Sequence, residues 1–179
     1  MNGRVRLWLA RHGATLWTEA GRITGWTDPD LSRSGRAQAM ALGGRLRGRA
    51  FDAVWSSDLR RATETAAIVC RSAGLSRRVG VDHRLRELRF GALEGTRWVD
   101  LAPELRAGLL AFDGFRAPSG ESVEELRSRV RDLLETFPAG DHLVVTHGGV
   151  IRMLLREAGL ADHAAPGSVV PLDLTSRSI

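Results

Sequence analysis

Lysine is absent from all 179 residues, and every one of the 26 basic side chains is arginine. Without lysine the chain can form no Schiff base with a carbonyl substrate. Nor can it build the phosphate loop that ends in Gly-Lys-Ser/Thr. Cysteine is almost as scarce, with Cys70 alone. An internal disulfide framework and a paired-cysteine metal site are therefore excluded, and a reduced cytoplasmic setting fits. Long apolar runs are missing as well. The stretch 5–10 (VRLWLA) is too short to span a bilayer or to serve as the core of a signal peptide.

What remains is ordinary globular composition, 43% hydrophobic and 26% charged, enough for one domain over 1–179 with a substantial core. The formal charge of +5 comes entirely from guanidinium, which stays protonated and favours planar, bidentate contact with phosphate or carboxylate. An arginine-biased composition accounts for most of these cations. They are scattered along the chain rather than grouped in a stripe, and no nucleic-acid-binding motif accompanies them. No nucleic-acid or membrane partner is expected, and association into a homodimer is left open.

Hydrophobic spacing predicts alternating strands and helices. Strands are expected at 4–10, 51–55, 79–81, 142–146 and 169–174. Helices are expected at 31–49, 59–73, 122–137 and 150–158. Asp30 or Ser32 is a candidate cap for the first helix, and Gly74 a stop for the second. Pro171 places the last strand at a sheet edge. The stretch 92–117, broken by Pro103, Gly108 and Gly114, reads as short helices and loops forming a cap that sets substrate choice. The alternation argues for a three-layer α/β/α sandwich around a mostly parallel sheet.

Two of these strands end alike, in Arg11-His12-Gly13 and in Thr146-His147-Gly148-Gly149. Ligands in open α/β sheets bind at the carboxyl ends of strands. Glycine after each histidine lets the backbone turn and approach a ligand, and a helix beginning near Gly149 would aim its N-terminus at the same place. One strand-end histidine is usually a packed residue; two matched ends, one beside an arginine, point to function. His83, His142 and His163 sit in surface-like contexts and receive no role. Zinc is a poor fit, since no H-x-x-x-H or cysteine pair is present and Arg11 would repel a cation. Two further blocks are 57–66 (SDLRRATETA) and 87–95 (ELRFGALEG). Arg60 and Arg61 lie about 100° apart on a helix, so only one can face a pocket.

These four blocks, in this order, resemble the histidine phosphatase superfamily, also called phosphoglycerate mutase-like. The stretches 21–32 (GRITGWTDPDLS) and 118–122 (PSGES) extend the likeness over nearly the whole chain. The resemblance implies the phosphoglycerate mutase-like fold and a metal-independent reaction without a cofactor. His12 would be the nucleophile that becomes phosphohistidine, its second ring nitrogen fixed by a backbone carbonyl. Arg11, Arg61 and His147 would clamp the phosphoryl oxygens, and Glu87 would protonate the leaving group. Thr18, Thr24, Gly25 and Gly148 would contact substrate. At Thr18 the family often has Asn, so this position departs from the pattern.

Within the family the expectation is a phosphomonoester phosphatase acting on a small phosphorylated metabolite. The segment between Gly95 and Ser119 is too brief for the long closing insertion of the cofactor-dependent mutases. Gly149 also stands where mutases tend to have Asn. Short bacterial members such as the α-ribazole phosphatases are the nearest likeness. The alternatives are a cofactor-dependent phosphoglycerate mutase, favoured by the 21–32 stretch, and a non-catalytic phospho-ligand binder. Trp98, Phe112 and Phe115 either line the pocket or pack the core, and core packing is the favoured expectation.

Overall fold

A computed structural model of the chain describes residues 4–174. Five strands form one sheet: β1 (Val5–Arg11), β2 (Ala53–Ser56), β3 (Val79–Val81), β4 (Gly140–Thr146) and β5 (Val169–Leu174). Their order is β3-β2-β4-β1-β5. The first four run parallel, and β5 pairs antiparallel to β1 at the edge. Two helices, α2 (Arg33–Leu46) and α3 (Arg60–Ala73), pack on one face. Their apolar positions Ala39, Leu42, Ala66 and Val69 meet Ala10, Leu143 and Val145 of the sheet. Two more, α5 (Val123–Leu134) and α6 (Gly148–Glu157), cover the other face, where Leu126, Val130, Ile151 and Met153 meet Leu7, Leu9 and Val144. Successive strand residues thus feed opposite cores, as the two-residue period of a strand requires. The expected three-layer α/β/α sandwich with a mostly parallel sheet is the observed architecture.

Helix boundaries differ from the sequence expectation for identifiable reasons. Ser32 caps α2, its hydroxyl accepting from Gly35 N at 3.0 Å, so the helix begins at Arg33 rather than at 31. Ser122 and Glu125 form a reciprocal capping box that starts α5 at Val123. α6 starts at Gly148, two residues before the expected 150, with His147 as its cap. A one-turn helix, α1 (Leu16–Glu19), was not anticipated. Its own capping box joins Thr15 and Thr18.

The 92–117 stretch holds a short helical turn at Trp98–Asp100 and the helix α4 (Pro103–Ala111). α4 is fastened to α6 through its C-terminal carbonyls. Arg152 donates to Leu109 O at 2.8 Å and Leu110 O at 2.6 Å, and Arg156 donates to Ala111 O. Asp162 holds both guanidiniums, at 2.9 and 2.6 Å. Two cations at a helix C-terminus satisfy its orphan carbonyls and oppose its negative dipole end. Among the described residues no helix is long and apolar enough to cross a membrane.

Candidate active site

The parallel register of β1 and β4 creates the centre of the site. Arg11 pairs with Thr146, so the next residues, His12 and His147, emerge side by side. Their ring centroids lie 5.0 Å apart, and both rings are buried. His12 N donates to Thr146 O at 3.0 Å, which locks the two strand ends together.

The tautomer of His12 follows from its neighbours. Nδ1 lies 2.7 Å from Gly13 O, and a carbonyl can only accept, so Nδ1 carries the proton. Nε2 is left with its lone pair, facing Arg61 Nε at 3.3 Å. Burial, then the charges of Arg61 and Arg11, hold the His12 pKa well below the ordinary imidazole value. The Gly13 hydrogen bond opposes this but does not reverse it. His12 is thus a neutral imidazole with its nucleophilic nitrogen turned toward the cations. His147 is lowered in the same way, by burial first and then by Arg61. Neither ring nitrogen of His147 has a hydrogen-bond partner among the described residues.

Arg61 is 1% exposed, an unusual place for a guanidinium. Its forks are filled by loop carbonyls, Gly25 O at 2.6 Å and Thr27 O at 3.0 Å, and by Asp28 Oδ1 at 3.1 Å. Asp28 also accepts from Arg60 N at 2.5 Å and Arg61 N at 3.4 Å. It thereby caps α3, whose own cap position, Leu59, offers no side-chain acceptor. Arg60 points outward to Asp30. The helical spacing argument therefore holds, and Arg61 is the arginine that faces the pocket. Arg11 donates to Ala164 O at 2.8 Å, and its Nε has no partner among the described residues. Burial lowers the pKa of both arginines and the Glu87 charge opposes it. Both remain cations.

Glu87 closes the opposite wall. Both carboxylate oxygens lie 3.0 Å from Gly149 N, and Oε1 also accepts from Leu88 N at 2.9 Å. The early start of α6 makes this possible, because Gly149 N is a first-turn donor with no partner inside the helix. An added Cβ at position 149 would lie 2.2 Å from Glu87 Oε1, so any other residue there would displace the carboxylate from this donor. Gly13 and Gly148 likewise serve close approach rather than a turn, and neither has a positive φ. A Cβ on Gly13 would lie 2.3 Å from Gly35 O, and one on Gly148 would lie 3.2 Å from Arg11 Cζ.

Three anchoring residues escaped the sequence reading. Glu94 binds four donors of two loops: Trp26 N at 3.0 Å, Phe90 N at 3.1 Å, and Thr27 N and Oγ1 at 2.7 and 2.6 Å. It so fixes the 24–28 loop that holds Arg61. Gly25 allows the approach, with φ +58° and no room for a Cβ against Glu94. Arg129 donates to Glu87 O at 2.8 Å while paired with Glu121. Asp28 is the third. The Thr-Asp pair of 27–28 and the Gly-Ala-Leu-Glu run of 91–94 lay within the family-like blocks, but nothing local marked which side chains reach across.

A cavity of about 420 Å³ joins these groups. Arg11, His12, Arg61, Glu87, Gly148, Thr18, Thr24 and Gly25 all line it; His147 lies beneath it, 0% exposed. Thr18 Oγ1 is occupied locally, accepting from Thr15 N at 2.7 Å and donating to Thr15 O at 3.0 Å. His163 lies exposed at the rim and His83 is exposed elsewhere. His142 corrects the sequence expectation of a surface context. It is 0% exposed, because β4 starts at Gly140 and lies between β2 and β1; its Nε2 meets Pro138 O at 2.8 Å. Trp98 is a second correction: it is 37% exposed at the cavity wall. Phe112 and Phe115 are buried, and Phe112 also lines the cavity. Two guanidiniums, two neutral imidazoles and helix-start N–H groups around one carboxylate suit an anion with a transferable group.

Comparison with known proteins gives this arrangement its class. Residues 7–179 match the Histidine phosphatase superfamily (branch 1), and the chain belongs to that family. It is 37% identical over 169 residues to Probable phosphoglycerate mutase GpmB of Yersinia pestis (strain Pestoides F), covering 89% of this chain and 78% of that one. The solved structure of TTHB049 from Thermus thermophilus superposes with a TM-score of 0.83 at 42% identity, covering 93% of this chain and 92% of the other. Phosphoglycerate mutase from Bacillus anthracis str. Sterne superposes with a TM-score of 0.81 at 25% identity, covering 97% and 89%.

The two depressed histidines predict an acid-labile fold. Between their folded values and the ordinary 6.5, the unfolded chain binds protons that the folded chain does not. Stability therefore rises with pH through that window and is lost as pH falls below about 6.5, with a slope approaching ~2.7 kcal/mol per pH unit for two groups. Asp58 and Asp82, lowered by hydrogen bonds from Arg86 and Arg84, act in a separate window. Their contribution is present above the ordinary 3.8 and lost as pH falls below it. Urea midpoints taken from about pH 7.5 down to about pH 5.5 should fall, and His147→Gln should roughly halve the slope. A flat profile would mean that the folded rings take up protons.

Proposed function

We propose that the protein is a phosphomonoester phosphatase working through a phosphohistidine on His12. The observation that carries this reading is the His12 ring itself: Nδ1–H held by Gly13 O, and an unprotonated Nε2 whose lone pair accepts from Arg61 Nε until a phosphoryl group takes that place. Nε2 attacks phosphorus, forming the P–N bond as the ester P–O bond breaks. Arg11, Arg61 and His147 hold the phosphoryl oxygens in line, stabilising charge that spreads over them in the transition state. Glu87 gives its proton to the departing alkoxide, releasing the alcohol. Water then attacks the phosphohistidine and returns a proton to Glu87. Inorganic phosphate leaves, and His12 is neutral again.

The contact between Glu87 and Gly149 supports hydrolysis, since it places the carboxylate against backbone with no side chain between. Mutase activity is the second reading, favoured by the relatives named phosphoglycerate mutase. The discriminating experiment measures phosphate release in EDTA from an aryl phosphate, 3-phosphoglycerate and α-ribazole phosphate. A parallel assay follows 3- to 2-phosphoglycerate conversion primed with a bisphosphate. Release of phosphate without primer is the expected result. Primer-dependent interconversion without release would replace it with the mutase reading.

A further inference from the structure

The cavity lining divides by chemistry. Its charged half is the set of phosphoryl-binding groups. Its apolar half is Phe90, Trp98, Leu109, Leu110 and Phe112, all from the 90–112 stretch, with Ile23, and Arg22, Arg152, Asp162 and His163 also line the cavity. We propose that the apolar half is a subsite for the leaving alcohol, built for a flat apolar body of about the size of an aromatic ring. The inference rests on the phosphatase reading and adds the substrate class to it.

Phe112 fixes where the alcohol must go. A Cβ on Gly149 would stand 2.2 Å from Glu87 Oε1 and 3.5 Å from Phe112 Cζ, so the ring edge and the carboxylate border the same small volume. An oxygen protonated by Glu87 therefore carries its carbon chain past Phe112 into the apolar half. Polar competition there is small. The Arg152 guanidinium is committed to Asp162 and to the carbonyls of Leu109 and Leu110. The Asp162 carboxylate is neutralised by Arg152 and Arg156. Arg22 already donates to Gly95 O at 2.7 Å. Among the described residues of this wall, Arg22 is the cation that a second anionic group on the substrate would meet without a carboxylate already paired to it. A ring would remove apolar surface of Trp98 and Leu110 from water, surface left 37% and 59% exposed on those residues. Phe112 closes α4 in a left-handed conformation, φ +52°, its N–H bonded to Gly108 O at 2.8 Å, and the Arg152 guanidinium lies 5.0 Å from its ring centre, so the ring is held in place from both sides.

Ethyl phosphate and 2-phenylethyl phosphate test this, because their alcohols differ little in leaving ability but greatly in apolar surface. kcat/KM for the phenylethyl ester should exceed that for the ethyl ester by about tenfold or more, chiefly through KM. Trp98→Ala and Leu110→Ala should each shrink that ratio several-fold. Both residues are partly exposed, so folding should survive. Calorimetry with the two corresponding phosphonates reads the same preference without turnover. If neither ester is hydrolysed but the phenylethyl phosphonate still binds tighter, the phosphatase reading fails and the subsite stands. Equal kcat/KM for the esters with equal Kd for the phosphonates, or ratios untouched by both variants, would overturn the subsite.

Discussion

His12→Ala should reduce phosphate release by about 10⁴-fold or more, because the nucleophile that forms the covalent intermediate is gone. The loss belongs in kcat. Arg11, Arg61 and His147 remain; Arg61 Nε loses its acceptor, His12 Nε2, but both arginines keep their other partners, Ala164, Gly25, Thr27 and Asp28. Inorganic phosphate should therefore still bind, and still raise the melting temperature of the variant. Acid quenching destroys a P–N bond, whereas alkaline quenching preserves it. Wild type caught during turnover of a labelled ester should carry base-stable, acid-labile label, and His12→Ala none. Label of that kind persisting in the variant would move the nucleophile elsewhere. His147, the neighbouring imidazole at 5.0 Å, would be the first candidate.

Glu87→Gln should divide substrates by the basicity of their leaving groups. The amide can still accept from Leu88 N and Gly149 N, so the wall keeps its shape, but it has no proton to give. In single turnover the phosphoryl-transfer rate for an alkyl ester should fall by about 10²–10⁴-fold. A 4-nitrophenyl ester, whose leaving group needs no proton, should lose about tenfold or less. Single turnover isolates this step from the later attack of water, which also uses Glu87 in the proposed cycle. Similar losses for both esters would remove the acid role and leave Glu87 as a holder of Gly149.

The strand ends were legible because a buried parallel strand writes a continuous apolar run, and the residues just past its carboxyl end lie on the ligand side of the sheet. The register of β1 and β4 then did what spacing alone could not: it set His12 beside His147. Arg61 was separable from Arg60 by helical geometry together with the family likeness. Asp28, Glu94 and Arg129 were not legible, because each acts across more than 30 residues or reaches backbone atoms of another loop, and a loop carboxylate looks the same in sequence whether it clamps or is merely solvated. Trp98 was misplaced for a related reason. Aromatic residues in a broken segment pack inward by default, yet here the segment is itself the wall of a cavity, so its inner surface is partly wet. His142 erred the other way: it opens the strand expected at 142–146, where an end residue meets water, whereas β4 already starts at Gly140 and His142 lies inside it.

The edge strand carries a consequence for how copies of the chain can meet. Arg11 N bonds Ser168 O, and successive antiparallel pairs alternate between bonded and non-bonded, so the Trp8–Pro171 pair is a non-bonded one. The nitrogen of Pro171 therefore faces away from the sheet, where an incoming strand would seek a donor and find none. At the opposite margin β3 offers three residues, too few to seed a long ladder. Extension of the sheet from molecule to molecule, the usual route from a crowded solution to fibrous aggregate, is thus blunted at one margin by a missing proton and at the other by brevity.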